Sequence, residues 1–88
     1  MKRSYEIVNK LGMHARAAAQ FVKTATVYEA ELTITKDGQT VNGKSIMGIM
    51  MLAAGIGSTI ELEASGVDEE DLLDALGELI AAKFHEGQ

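Results

Sequence analysis

The chain has 88 residues, a formal charge of −5, and neither cysteine nor proline. That length makes one domain, 1–88, with one modest core and little room for a substrate cleft beside a cofactor site. The acidic balance argues against nucleic acid as a partner, because phosphate backbones call for an excess of Lys and Arg, and the missing cysteines exclude a disulfide framework and a thiolate zinc site.

Met1, Lys2 and Arg3 resemble the opening of an export signal, but Tyr5 to Asn9 is short, carries Glu6 and leads into no apolar run, so a cytoplasmic location is expected. Ser4 to Val8 has the β-branched and aromatic content of a strand, and Asn9 to Met13 breaks it with a loop around Gly12. From Ala15 the period changes. Ala18, Phe21, Val22 and Ala25 fall at i, i+3, i+4 and i+7, which puts them on one helical face for burial. Ala30, Leu32 and Ile34 then alternate with Glu31, Thr33 and Thr35, a strand with one dry and one wet face. Asp37 and Gly38 predict a two-residue hairpin, with Gln39 to Asn42 as the return strand.

Gly43 and Lys44 lead into Ser45, a good N-cap, after which Ile46, Ile49, Met50 and Leu52 turn as a short helix. The weakly polar stretch from Ile46 to Ile56 is about half of the ~20 residues a membrane span requires, so no membrane insertion is expected. If Ile49 and Leu52 face the core, Ile46, Met47 and Met50 or Met51 lie partly outward, either as a surface that re-packs against partners or as gap-fillers in a small core. Ile60, Leu62 and Ala64 alternate with Glu61 and Glu63 in a fourth strand. Asp68 is placed to cap a last helix whose first turn carries Glu69, Glu70 and Asp71; Leu72, Leu76, Leu79 and Ile80 form its buried stripe, Phe84 extends it, and Gly77 is an internal weak point. His85 follows in a polar tail and reads as a solvated residue. Helices crossing between antiparallel strands, all with one apolar side, predict two layers: a four-stranded antiparallel sheet with three helices on one face, α/β in the α+β sense.

The segment NKLGMHARAAAQFVK carries the chemistry. His14 stands where a glycine-containing loop becomes an Ala-rich helix, and the first N–H groups of a helix lack intrahelical partners and sit at the positive end of its dipole. Arg16 adds a fork of donors suited to phosphate. The spacing alone leaves two readings: a ring nitrogen that carries a phosphoryl group beside its own anion cradle, or a helix-capping His14 next to a solvated Arg16. For the first, a helix N-terminus and a guanidinium both disfavour a second positive charge and keep the imidazole lone pair available. The two histidines lie far apart, so no metal is expected, and no cofactor is implied.

Together, NKLGMHARAAAQFVK and GKSIMGIMML resemble the histidine-containing phosphocarrier (HPr) family of the phosphoenolpyruvate-dependent sugar phosphotransferase system, and the likeness in length and element order extends over essentially the whole chain. The resemblance implies an open-faced β-sandwich and a carrier, itself no enzyme, that takes a phosphoryl group from phosphorylated Enzyme I onto Nδ1 of His14 and hands it to IIA domains of sugar permeases. It makes Arg16 and the backbone amides of Ala15, Arg16 and Ala17 the phosphate clamp. It makes Ser45 a regulatory phosphorylation site for HPr kinase/phosphorylase, with a transcriptional regulator as a further partner, although a plain N-cap role for Ser45 stays open. Partners are expected to dock on Ala15, Ala19 and Lys23 of the first helix with Ile46, Met47 and Met50 of the short one, and the protein to be a monomer. One departure stands out: Ala17 occupies the place where the family usually has proline. Its restored N–H either reaches the phosphoryl group or bonds the His14 ring as a side-chain cap. Rival classes are a regulatory HPr-like interaction module, a nitrogen-branch phosphocarrier, and a small metal- or RNA-binding α/β domain, the last weakened by the acidic balance and the lack of clustered ligands.

Overall fold

Alternating and helical periods settle into separate layers in the computed structural model, which describes residues 1–85. The order is β1 (Lys2–Glu6), α1 (Ala15–Ala25), β2 (Glu31–Lys36), β3 (Gln39–Asn42), α2 (Ile46–Met51), β4 (Thr59–Ser65) and α3 (Glu69–Ala81), with a short 3-10 turn at Lys83–His85. All strand pairs are antiparallel and the sheet runs β1-β4-β2-β3. In register, Leu62 lies between Arg3 and Ile34, which in turn opposes Val41; this row faces the helices. The next row, Lys2, Glu63, Thr33 and Asn42, faces away and stays uncovered. Phe21 of α1, Ile49 of α2 and Leu72, Leu73 and Leu76 of α3 meet Ile34, Ile60 and Leu62 in one fully buried core. The expected two-layer, open-faced α+β sandwich is what the chain forms.

Several boundaries differ from the sequence expectation. β1 starts at Lys2 and stops at Glu6, two residues earlier than Ser4 to Val8, because its partner β4 begins at Thr59, opposite Glu6. Ile7 continues by bonding the loop before β4, donating to Ser58 O at 2.8 Å and accepting from Gly57 N at 2.8 Å. In α1 the buried stripe is Ala17, Ala18, Phe21 and Ala25, with Val22 only half buried: small residues bring the helix close to the sheet. α3 buries Leu73 as well as the expected four. Phe84 is buried but not on the helix, since Lys83, Phe84 and His85 all take left-handed backbone, with φ of 56, 54 and 61°, and swing the ring back under the core. Gly77 is less a weak point than a seat. A Cβ there would stand 2.7 Å from the Tyr5 hydroxyl, and that hydroxyl donates to Leu73 O at 3.1 Å, clamping β1 to α3. Arg3 and Asp74 tie the same two elements. Asp37 and Gly38, at φ of 51 and 82°, make the predicted hairpin.

Asp68 holds the N-cap position of α3 but makes no side-chain cap bond there. Its carboxylate instead accepts from the N–H groups of Glu29 and Ala30, both at 2.8 Å, pinning the entrance of β2. The Glu29 N–H above all, with Ala30 adding to it, holds the Asp68 carboxyl below its ordinary range. A depressed folded value means the ionised side chain stabilises the fold fully above the unfolded value of about 3.9 and loses that effect as pH falls through the folded one. Asp68→Asn should therefore unfold at lower temperature than the parent at pH 7, and the gap in Tm should close in melts run below about pH 4; a gap of constant size would refute the assignment.

Candidate functional site

The loop before α1 is built by non-local backbone contacts. Asn9, fully buried, donates from Nδ2 to Gly12 O at 2.8 Å, and Gly12 N bonds back to Asn9 O at 3.1 Å. Gly12 lies at φ 69°, and Met13, almost wholly buried, donates to Ala54 O at 2.8 Å. The next residue, His14, is the N-cap of α1, at φ −75° and ψ 179°. The first intrahelical bond is Ala18 N to His14 O, 2.8 Å, so the amides of Ala15, Arg16 and Ala17 precede any intrahelical acceptor and converge at the positive end of the helix.

His14 makes no side-chain hydrogen bond to those amides. Of the two roles the sequence left for the Ala17 N–H, the side-chain cap is therefore not formed. Ala17 is fully buried, backbone included. His14 is half-exposed and Arg16 exposed; no carboxylate among the described residues pairs with the Arg16 guanidinium. His14, Arg16 and the first-turn amides stand at the same end of α1, and guanidinium and helix-terminal amides are groups that bind anions.

α2 packs beside α1 and supplies the neighbouring surface. Ser45 is its N-cap as predicted, with Oγ accepting from Gly48 N at 3.0 Å. Ile49 faces the core, and Ile46, Met47, Met50 and Met51 are all exposed, Met47 at 72% and Met51 at 67%. Ala15, Ala19 and Lys23, at i, i+4 and i+8 on α1, are exposed as well. Sequence reasoning missed Leu11 and Ile56, exposed at 59 and 61% on the two loops that meet at Met13 and Ala54. The available signal was an apolar residue alone in a loop, with no periodic partner to bury it; Ile56 stands between two glycines. A surface hollow of about 560 Å³ lies instead along β2 and β3 by Leu32, Val41 and Lys44. Among the described residues no three His, Asp or Glu side chains gather as a metal site would need, and no helix is long and apolar enough to cross a membrane.

A four-stranded open-faced sandwich with a half-exposed histidine at the mouth of its first helix is the architecture of a small phosphocarrier domain. The family model for the PTS HPr component phosphorylation site matches residues 1–82. The chain is 52% identical over 88 residues to phosphocarrier protein HPr of Neisseria meningitidis serogroup A, covering 100% of this chain and 99% of the relative. Its backbone superposes on the crystal structure of HPr-C-His from Thermoanaerobacter tengcongensis with a TM-score of 0.94 at 46% identity, covering 98 and 97% of the two chains. A phosphocarrier protein NPr from Shewanella violacea is 41% identical over 86 residues, 98 and 94% of the two chains. The chain belongs to the HPr family, phosphocarrier proteins of the phosphotransferase system.

Proposed function

We propose that His14 is the covalent acceptor in a cytoplasmic relay, taking a phosphoryl group from phosphorylated Enzyme I and passing it to the IIA domains of sugar permeases. The supporting observation is the placement of His14: a half-exposed N-cap at the positive end of α1, with Arg16 exposed two residues on. A ring nitrogen lone pair forms the N–P bond as the donor's bond to phosphorus breaks, with the ring proton held on the other nitrogen; the reverse exchange discharges the group to the acceptor. Arg16 and the amides of Ala15, Arg16 and Ala17 offset the added charge, and because transfer passes through a loose transition state, partners complete the surroundings. Docking is assigned to Ala15, Ala19 and Lys23 with Ile46, Met47 and Met50. Ser45 is assigned as the regulatory site, phosphorylated by HPr kinase/phosphorylase, and its phosphorylated form is assigned to a transcriptional regulator.

Incubation with Enzyme I and phosphoenolpyruvate tests this directly. The expected product gains one phosphoryl group that is labile in acid and stable in alkali; a gain with the opposite stability, or none, refutes the reading. A nitrogen-branch role is the second reading, favoured by the likeness to an NPr protein, and preferential discharge to a nitrogen-branch acceptor over a sugar IIA domain would establish it.

Ala17→Pro isolates the third amide. Proline is tolerated in the first turn of a helix but donates nothing. One hydrogen bond to a charged group is worth about 1.5–3 kcal/mol, so acceptance by the variant should slow by about 10- to 150-fold while Tm confirms the fold. An unchanged rate would remove the Ala17 N–H from the clamp.

A further inference from the structure

The loop that leaves α2 and the loop that enters α1 are joined backbone to backbone, one residue away from His14. The contact is tight by construction. A Cβ on Gly12 would stand 2.6 Å from Ala54 O and 2.8 Å from Gly55 Cα, so the bare Cα of glycine is what lets the two chains close. The Met13 N–H then reaches Ala54 O at 2.8 Å, and both residues are almost fully buried. The residue before Ala54 has an unusual backbone conformation. Ala53, exposed and just past the C-cap Leu52 of α2, takes left-handed backbone, φ 50°, its N–H bonded to Met50 O at 3.1 Å. Left-handed backbone is uncommon for a residue with a Cβ and severe for a β-branched one. The strain sits where the chain reverses from α2 toward β4.

We propose that Ala53 and Gly12 are positioning residues: the left-handed turn at Ala53 sets the Ala54 carbonyl, the Gly12–Ala54 joint fixes Met13, and Met13 fixes the direction in which the α1 N-terminus presents His14. The proposal rests on the reading of His14 as acceptor. It makes α2 and the acceptor one mechanical unit, so that whatever binds or modifies α2 acts on a helix whose exit loop holds the acceptor in place. Neither residue touches the phosphoryl group. Both act through the geometry of the ring, and a misplacement of about 1 Å in such a centre costs up to about 100-fold in rate.

Ala53→Val, which puts a β-branched residue at a left-handed position on the surface, is the decisive variant. The maximal rate of phosphoryl acceptance from Enzyme I should fall about 10- to 100-fold with little change in KM, and the His14 ring resonances should move. Ala53→Asn, whose side chain tolerates left-handed backbone, should restore both; Val67→Ala, at an exposed position remote from the joint in sequence, should alter neither. A purely structural role would lower Tm yet leave the folded protein accepting at the parent rate with unshifted ring signals, and that result overturns the proposal. A rise in KM alone would place Ala53 in docking and overturn it too. Hydrogen exchange on the parent protein keeps the proposal testable if Ala53→Val does not fold: the Met13 amide should exchange as slowly as that of Ile7, and exchange at the rate of an open loop refutes the joint. If the parent protein takes no acid-labile phosphoryl group, the failure lies with the acceptor assignment and not with the joint.

Discussion

His14→Gln should abolish phosphoryl acceptance from Enzyme I and leave the fold intact. Gln keeps a polar side chain of similar reach but has no ring nitrogen with a free lone pair; its amide nitrogen is delocalised into the carbonyl and cannot attack phosphorus. The loss is therefore complete rather than graded. Stability should hardly move, because the first bond of α1 runs from Ala18 N to the backbone carbonyl of residue 14, which the substitution keeps, and the His14 ring contributes no cap bond. A surface change that removes neither a helix-cap bond nor a core contact stays within about 0.5 kcal/mol, so Tm should lie within about 4 °C of the parent. Two measurements read this: label transfer from phosphoenolpyruvate through Enzyme I to a IIA domain, and a thermal melt. The opposite pattern, a lowered Tm with relay preserved, would make His14 a structural cap and move the phosphoryl group elsewhere.

Local chemistry was legible in the sequence where it depended on neighbours in the chain. Ser45 as an N-cap, Asp37 and Gly38 as a hairpin, and His14 at the mouth of α1 all follow from residues a few positions apart, and the structure places each as expected. Whatever depended on residues far apart in the chain was not. The end of β1 is set by β4, more than fifty residues away in sequence, and Asp68 turns from its own helix to the amides of Glu29 and Ala30 because β2 starts beside it. Phe84 could not be assigned to a left-handed turn because burial in a helix and burial from a turn leave the same apolar residue in the sequence. At the site, His14 and Arg16 at the start of α1 were visible; the joint of Gly12 with Ala54 was not. Gly12 announces a loop, and nothing in its neighbours says that the space it leaves is filled by a carbonyl forty-two positions later.

Two substitutions at Ser45 should separate capping from charge. Ser45→Ala removes the Oγ that accepts from Gly48 N, in a helix of six residues with few other bonds, and a lost N-cap of this kind costs about 1 kcal/mol, or about 4–8 °C in Tm for a domain of this size. Acceptance of the phosphoryl group by His14 should stay near the parent rate, since no charge has changed. Ser45→Asp keeps an acceptor at the cap and adds a negative charge at the positive end of α2, so stability should hold. Acceptance should nevertheless slow by about tenfold, because Ile46 and Met47 beside it are exposed on the surface assigned to docking, and a partner arriving already phosphorylated meets like charge there. A phosphoserine, with a charge of about −1.5 to −2, should slow it further, by about 100-fold. The effect should appear in KM more than in the maximal rate and should shrink as salt is raised, since screening acts on charges separated by solvent. Salt sensitivity also distinguishes this repulsion from distortion carried through the α2 exit loop to His14, which would lower the maximal rate at every ionic strength. Ser45→Asp accepting at the parent rate in low salt would leave Ser45 with its capping role alone.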